Sequence, residues 1–189
     1  MRLRPASLHA AWLAASARRW QRCALALALL LPGAARAQAP AAAEYAAKAA
    51  FIYNLALFST FPDARAGLIR LCILGRDPFG KLLAGLEGKP LGDARMTIAH
   101  PSSGRDALKQ CQIVFVSASE SDTVALLAQS ARQEGVLTVS DAKGAARMGI
   151  MVELDVEDKR IAFEFNAEAA RAANIALSSK VLRLARMVY

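Results

Sequence analysis

Side chains able to carry out acid–base chemistry are scarce in this sequence, and histidine is the scarcest. The chain has two histidines, and only His100 lies downstream of residue 37. A Ser-His-Asp or Cys-His site would need His100 as its general base. It falls at the end of a predicted strand, directly before Pro101. We therefore interpret His100 as a surface or structural residue, predict no catalytic site, and rank a hydrolase built on His100 and a serine last among the possible functions.

The segment from Gly75 to Lys81 matches the G-x-x-x-x-G-K pattern of a phosphate-binding loop. Leu82 stands where that loop needs a Ser or Thr hydroxyl to hold magnesium, and Pro78 removes one of the backbone N–H donors. Asp77 adds negative charge where phosphate would bind. We therefore reject nucleotide hydrolysis and predict a strand–turn–helix connection, with Asp77 capping the helix and Pro78 at its first position.

The cysteines and histidines lack the spacing of a metal site. Neither C-x-x-C nor H-x-x-x-H occurs in the sequence, so we predict no metal and no cofactor. Cys72 lies inside a predicted strand, and Cys111 precedes the next core strand. Cys72 and Cys111 are the only cysteines after residue 37. If the chain is exported, as its N-terminal region described next predicts, an even number of cysteines favours a Cys72–Cys111 disulfide. A structural bridge and a redox-sensitive bridge both remain open.

The N-terminal region has the features of an export signal. Basic residues precede a short apolar run, Cys23 to Leu31, and small residues follow a Pro-Gly break at Ala35 and Ala37. The run is about half of the roughly 20 apolar residues that a membrane span needs. We therefore predict a signal peptide over residues 1–37, cleavage after Ala37, and a protein that works outside the cytoplasm with no direct membrane insertion.

Cleavage would change the charge of the chain. The precursor carries a net charge of +8, but residues 1–37 hold six basic and no acidic residues, which leaves 18 basic against 16 acidic residues and a net charge of +2. So small an excess gives no support for nucleic-acid binding. We predict a short disordered tail at residues 38–43 and one domain over residues 44–189.

The pattern of the mature chain predicts an α/β fold. A helix from Glu44 to Thr60 is followed by alternating strands and helices, with a turn at residues 157–159 that separates two strand patterns. We predict a single layered domain whose mixed, mostly parallel sheet is flanked by helices and carries a C-terminal antiparallel hairpin. The predicted strands are 68–74, 95–100, 113–117, 136–139, 149–156 and 160–165, and a final helix is predicted from Ser178 to Val188.

The first helix is apolar around most of its circumference. Such a helix is either buried on all sides or used by a partner. The residues that we predict to face a partner protein or a second subunit are Phe51, Tyr53, Leu55 and Phe58. Plain core packing explains any single one of them equally well, so both interpretations stand.

A small-ligand sensor is the alternative function. Ligands of open α/β sheets bind outside the carboxyl ends of the strands. In this sequence the residues expected to line such a pocket are Gly75, Asp77, Phe79, Ser117 and Ser119.

Several segments, taken in order, resemble one known family. They are EYAAKAAFIYNLALFSTFP (Glu44 to Pro62), LCILGRDPFG (Leu71 to Gly80), CQIVFVS (Cys111 to Ser117), VLTVSD (Val136 to Asp141) and LSSKVLRLARMV (Leu177 to Val188). Together they resemble the YfiR-like family of bacterial periplasmic proteins and span nearly the whole mature chain.

The resemblance implies a function as well as a fold. It implies a compact α/β domain, often a homodimer, with no known enzymatic activity. It also implies a repressor that binds the periplasmic part of a membrane-anchored diguanylate cyclase, so that loss of the contact raises cyclic-di-GMP and biofilm formation. Cys72 and Cys111 match cysteines that pair in similar proteins.

Overall fold

The computed structural model describes residues 35–62 and 67–189, with side chains described from residue 41 onward outside that gap. Ala42–Tyr189 forms a compact unit, and it contains the sheet and the sites described below. The predicted signal peptide lies almost wholly outside the described residues, so cleavage after Ala37 stays a prediction. Among the helices that the structure describes, none combines the length and the apolar character needed to cross a membrane.

The described residues form helices and strands in alternation. The α-helices are α1 (Ala35–Leu57), α2 (Gly104–Gln110), α3 (Val124–Glu134), α4 (Ala167–Ala172) and α5 (Ser179–Leu182), and 3-10 helices span Gly80–Gly85 and Ala118–Thr123. The strands are β1 (Ser59–Thr60), β2 (Leu68–Leu74), β3 (Pro90–Leu91), β4 (Ala94–Ala99), β5 (Ile113–Val116), β6 (Leu137–Ser140), β7 (Val152–Glu157), β8 (Arg160–Phe165), β9 (Ala176–Leu177) and β10 (Met187–Val188).

Within the described residues, eight strands form the main sheet, in the order β10-β8-β7-β6-β5-β2-β4-β3. The five strands from β7 to β4 in that order are parallel, and β7 and β8 form an antiparallel hairpin. β3 is antiparallel to β4, β10 is parallel to β8, and a separate two-stranded sheet pairs β1 with β9. The predicted α/β class, the mostly parallel sheet and the antiparallel hairpin are therefore confirmed.

Both faces of the sheet are covered by helices, as its apolar central strands require. Successive side chains of a strand point to opposite faces, so Leu71 and Ile73 of β2 join one buried cluster while Cys72 and Leu74 join another. The first cluster contains residues of α1 and α4, and the second contains residues of α2 and α3. Helices α1 and α3 thus lie on opposite sides of the sheet.

The prediction of a final helix from Ser178 to Val188 is wrong beyond its first turn. Ser178 caps α5 as predicted, with its side chain accepting from the Lys180 N–H, but the helix ends at Leu182. The chain then becomes strand β10, where the N–H groups of Arg186 and Tyr189 donate to the carbonyls of Phe163 and Phe165. The residues after Leu182 have the spacing of a helix, but pairing with the open edge of β8 makes part of this segment a strand instead.

The first helix also differs from its predicted bounds. It begins at Ala35 rather than Glu44 and ends at Leu57 rather than Thr60, so residues 38–43 are helical in the full chain; a disordered tail in the cleaved chain stays a prediction. Alanine is the strongest helix former, and the alanine-rich composition of this segment favours the extension against the cost of Pro40, which has no N–H to donate. At the other end, Ser59 and Thr60 leave the helix to pair with β9.

Candidate functional site

The sheet reverses its strand order between β2 and β5. The connection after β2 leads to β4 on one side, and the connection after β5 leads to β6 on the other. A crevice outside the carboxyl ends of two such strands is the usual ligand position in α/β folds. The segments that border it here are the loop after β2 and the 3-10 helix after β5.

The loop after β2 is shaped by Gly75 and Asp77. Gly75 has a φ of +87°, in the left-handed region that glycine tolerates best. Asp77 Oδ1 accepts from the N–H groups of Phe79 at 2.7 Å and Gly80 at 3.2 Å. The prediction that Asp77 caps the helix and that Pro78 is its first residue is wrong in position, because the 3-10 helix begins at Gly80 and its N-cap residue is Phe79. The Asp77 carboxylate nevertheless binds the N–H of the first helical residue.

The carboxyl-edge crevice is filled by the protein's own side chains. Ser119 Oγ accepts from the Arg76 N–H at 2.9 Å. A Cβ atom placed on Gly75 would lie 2.6 Å from both Ser119 Oγ and Glu120 Cγ. The structure therefore brings Gly75 and Ser119 together, but in direct van der Waals contact rather than across an open pocket.

The remaining residues of the predicted ligand pocket have structural contacts. Phe79 is buried, with its ring in edge contact with the rings of Tyr45 and Phe115. Ser117 is buried and accepts weakly from the Ser119 N–H at 3.5 Å. Next to them, His100 Nε2 lies 3.0 Å from Asp77 Oδ2, with its side chain more than half exposed.

A buried charged cluster lies at the same edge of the sheet. Lys48 of α1 donates to Asp141 Oδ2 at 2.9 Å, and the Tyr45 hydroxyl donates to the same oxygen at 2.9 Å. Lys48 also binds Glu44 Oε1, one helical turn earlier, at 2.6 Å. The side chains of Lys48 and Asp141 are only 5% and 6% exposed. We call Glu44, Tyr45, Lys48 and Asp141 the Lys48 cluster; it fixes α1 to the end of β6.

The ionisation of the Lys48 cluster follows from these contacts. Burial and the hydrogen bond to Asp141 raise the pKa of Tyr45, so the hydroxyl stays a donor. Burial lowers the pKa of Lys48, but the hydrogen bonds to Glu44 and Asp141 outweigh it and hold the pKa above its usual value. Lys48 therefore remains charged, and the cluster is suited to anchoring a helix rather than to transferring a proton near neutral pH.

The four residues predicted to face a partner have different environments. Leu55 is fully buried in the core, and Phe51 packs against Phe163 with ring centroids 5.0 Å apart. The Tyr53 hydroxyl donates to the Pro90 carbonyl at 2.6 Å. Phe58 is 42% exposed, as is the neighbouring Leu57. Core packing therefore explains most of the apolar circumference of α1, and only its C-terminal end presents large apolar side chains to solvent.

The predicted disulfide is present. Cys72 of β2 is bonded to Cys111, with a Cα–Cα distance of 6.0 Å, within the usual range for such a bridge. Cys111 is the residue that ends α2. Both cysteines are buried, so the bridge holds the C-terminal end of α2 against the sheet from inside the core.

An open groove of about 470 Å³ lies between α2 and α3. Leu74, Leu108 and Leu127 line its apolar part, and Leu126 stands at its border with 70% of its surface exposed. The two helices approach closely at Gly104, where a Cβ atom would lie 2.7 Å from Leu127 Cδ1. We call this feature the α2–α3 groove; the sequence analysis did not identify it.

Comparison with known proteins places the chain in a family. The family model described as YfiR/HmsC-like matches residues 45–186, about three quarters of the chain. The chain belongs to the YfiR/HmsC-like family. No curated protein matches it. Among solved structures it is similar to a conserved domain protein from Vibrio cholerae O1 biovar El Tor, with 11% sequence identity and a TM-score of 0.46. The match covers 65% of this chain and 55% of the Vibrio chain, so this chain spans only about half of the Vibrio protein's length.

The YfiR/HmsC-like region includes Lys48, Asp141 and both bonded cysteines, and it ends at Arg186. The Arg186 guanidinium binds the carboxylates of Glu164 at 2.7 Å, Asp155 at 3.4 Å and Glu157. The Tyr189 hydroxyl donates to Glu164 at 2.6 Å. These contacts fasten β10 to the β7–β8 hairpin, so Arg186 and Tyr189 hold the last strand at the edge of the sheet.

Within the described residues, no group of three or more His, Cys, Asp or Glu side chains is arranged to hold a metal ion.

Proposed function

We propose that this YfiR/HmsC-like protein is a non-enzymatic periplasmic regulator. It binds and inhibits the periplasmic part of an inner-membrane diguanylate cyclase and thereby lowers cyclic-di-GMP. The observation that carries the proposal is the family match over residues 45–186, which covers nearly all of the predicted domain. The predicted signal peptide supports the periplasmic location, since it would deliver the mature domain to that compartment.

The end of α1 is the surface that we assign to the cyclase. Leu57 and Phe58 are both exposed there. Beside them lies a shallow groove of about 300 Å³, lined in part by Leu57, Phe61 and Leu91. Adjacent exposed apolar side chains next to a concave surface are typical of the centre of a protein–protein interface. Of the four residues that the sequence assigned to a partner, Phe58 is therefore the one best placed for contact.

The small-ligand sensor remains the alternative, and the geometry gives it less support. Ser119 and Glu120 occupy the space beside Gly75 where a ligand would lie. A ligand at the carboxyl-edge crevice would have to displace both side chains and break the hydrogen bond from the Arg76 N–H to Ser119. Binding would show as a ligand-dependent rise in melting temperature.

Two matched substitutions test the proposed contact. Phe58→Asp places a charge in the assigned surface. Met148→Asp is its control, because Met148 is 41% exposed and precedes Gly149, which packs near Ala128 of α3 on the opposite face of the sheet. In a deletion strain with raised cyclic-di-GMP, the wild-type protein and Met148→Asp should restore the low level, and Phe58→Asp should not.

The binding measurement uses the purified periplasmic domain of the cyclase. We expect Phe58→Asp to weaken its affinity at least tenfold and Met148→Asp to leave it unchanged. If deletion of the gene leaves cyclic-di-GMP unaltered and no inner-membrane cyclase is recovered with the wild-type protein, the proposed function is wrong.

A further inference from the structure

The exposed end of α1 lies directly beside α5. The Phe58 carbonyl accepts from the Ser178 N–H at 2.9 Å, and the next residue, Ser59, pairs with Leu177 of β9. Helix α5 begins immediately afterwards, at Ser179. The surface assigned to the cyclase therefore continues from Phe58 onto α5.

The outward side of α5 is basic. Val181 is buried and Leu182 is partly buried against the core cluster that contains α1, so these two residues fix the inner side of the helix. Lys180 and Arg183 are both exposed, and their i,i+3 spacing places them next to each other on the helical turn. Neither forms a salt bridge with a described acidic residue. We call Lys180 and Arg183 the α5 basic pair.

Arg186 shows how differently a cation with a structural role is placed. It lies three residues after Arg183, and its guanidinium binds the carboxylates of Glu164, Glu157 and Asp155. The α5 basic pair has no such counter-charge, and two adjacent like charges repel each other. The dipole of α5 offers little compensation, because the helix has only one turn. A carboxylate supplied by a partner would relieve this repulsion.

We propose that the α5 basic pair forms the rim of the cyclase-binding surface and binds carboxylates of the cyclase's periplasmic part. The inference rests on the proposed function, because it names the chemistry by which the same surface recognises its partner. Leu57 and Phe58 supply the apolar centre, and charges at the rim of an interface set the specificity and the rate of association. Asp93 lines the adjacent groove and would repel a carboxylate there, so the acidic groups of the partner belong over α5.

A protein surface fits these observations better than a membrane of anionic lipids. One Lys or Arg near such a membrane contributes about 1 kcal/mol, so the α5 basic pair alone would give only marginal attachment. The apolar part of the surface also includes a concave groove of about 300 Å³. A concavity of this kind is complementary to a protruding side chain of a folded partner.

The first test is the salt dependence of binding between the mature protein and the purified periplasmic domain of the cyclase. The association rate constant of the wild-type protein should fall at least tenfold between about 0.05 M and about 0.5 M salt, because salt screens exposed charges. This measurement needs no variant, so it decides the question even if a substituted protein fails to fold.

The second test reverses the charges one at a time. Lys180→Glu and Arg183→Glu should each raise the dissociation constant at least tenfold, mainly by slowing association, and the difference from the wild type should shrink at high salt. Lys81→Glu is the matched control, because it makes the same charge change at an exposed residue of the 3-10 helix after β2. That helix follows Phe79, whose ring contacts Tyr45, and Tyr45 is about 20 Å along α1 from Phe58. Lys81→Glu should bind like the wild type.

The outcomes separate the inference from the proposed function. Circular dichroism establishes that each variant is folded. Wild-type binding that does not respond to salt, or Lys180→Glu and Arg183→Glu variants that bind like Lys81→Glu, overturns the inference and leaves the proposed function standing. A wild-type protein that does not bind the cyclase domain overturns the proposed function itself. If the wild type cosediments with phosphatidylglycerol vesicles and Lys180→Glu does not, the basic pair binds lipid and the inference is wrong.

Discussion

Lys48 Nζ and Asp141 Oδ2 lie 2.9 Å apart although the two residues are 93 positions apart in the sequence. The pair joins the first helix of the domain to the end of β6 and is almost completely removed from solvent. A buried ion pair contributes little net stability compared with apolar residues of the same shape, but the loss of one partner leaves an uncompensated buried charge.

We therefore predict that Asp141→Ala lowers the free energy of unfolding by about 3 kcal/mol, because Lys48 would keep only the partly exposed Glu44. Glu44→Ala, which leaves the buried pair intact, should cost less than about 1 kcal/mol. The double variant Lys48→Met/Asp141→Leu should recover most of the loss. Urea denaturation measures all of these changes, and an Asp141→Ala variant as stable as the wild type would show that the pair does not hold α1.

Because of the disulfide, we predict a large difference in the free energy of unfolding between the oxidised and the reduced protein. Cys72 and Cys111 are separated by 39 positions, and closing a loop of that size stabilises by about 4 kcal/mol in the chain-entropy model. Reduction, or Cys72→Ala/Cys111→Ala, should lower the free energy of unfolding by about this amount. Reductant should have no further effect on the double variant. If reduction changed cyclase binding while the domain stayed folded, the bridge would be a redox switch rather than a structural link.

Glycine can be required for its positive φ angle or because there is no room for a Cβ atom, and a comparison of Gly75 with Gly144 tests the two reasons separately. Their φ angles are similar, +87° and +82°, but a Cβ atom on Gly75 would meet Ser119 and Glu120 at 2.6 Å, whereas one on Gly144 would meet no atom within 4 Å. Gly144→Ala should therefore cost only the backbone strain, about 1 kcal/mol. Gly75→Ala should cost at least about 2 kcal/mol, since overpacking adds to that strain. Equal losses in thermal or urea unfolding would show that the contact with Ser119 and Glu120 is not tight.

Protonation of the carboxylates around Arg186 should lower the stability of the domain in acid. Hydrogen bonds from Tyr189 and Arg186 lower the pKa of Glu164. Its stabilising contribution is complete above the unfolded-state pKa of about 4.3 and is lost as the pH falls through the lower pKa of the folded state. Glu164→Gln should therefore be less stable than the wild type near neutral pH, and its stability should fall less between pH 5 and pH 3. Asp93→Asn, at an exposed position between β3 and β4, should keep the wild-type pH dependence.

The sequence predicted features that depend on neighbouring residues. Strand β2 was predicted at its observed bounds because seven mostly apolar residues precede Gly75. Local signals also identified the turn at residues 157–159 that joins the β7–β8 hairpin. The fold class followed from the alternation of these elements.

Contacts between distant residues could not be predicted in this way. Residues 183–188 have a helical pattern, and only the open edge of β8 makes part of this segment a strand. The sequence signal for the Lys48 cluster was the i,i+4 spacing of Glu44 and Lys48, and it did not point to Asp141. The α2–α3 groove depends on how closely two helices approach at Gly104, which no local pattern contains.

The position of α1 in the chain has a consequence for the order of folding. Ile52 and Leu55 are buried in a cluster that includes Met151, Phe163 and Ala169, all synthesised about a hundred residues later. Contacts of such long sequence separation form slowly, because closing the long loop costs entropy before the contact is gained. The helix therefore lacks this part of its core until residues 151–169 have been made. The predicted export as a precursor would benefit from this order, since a chain that completes its core late stays extended for longer, the state in which an unfolded chain passes through an export channel.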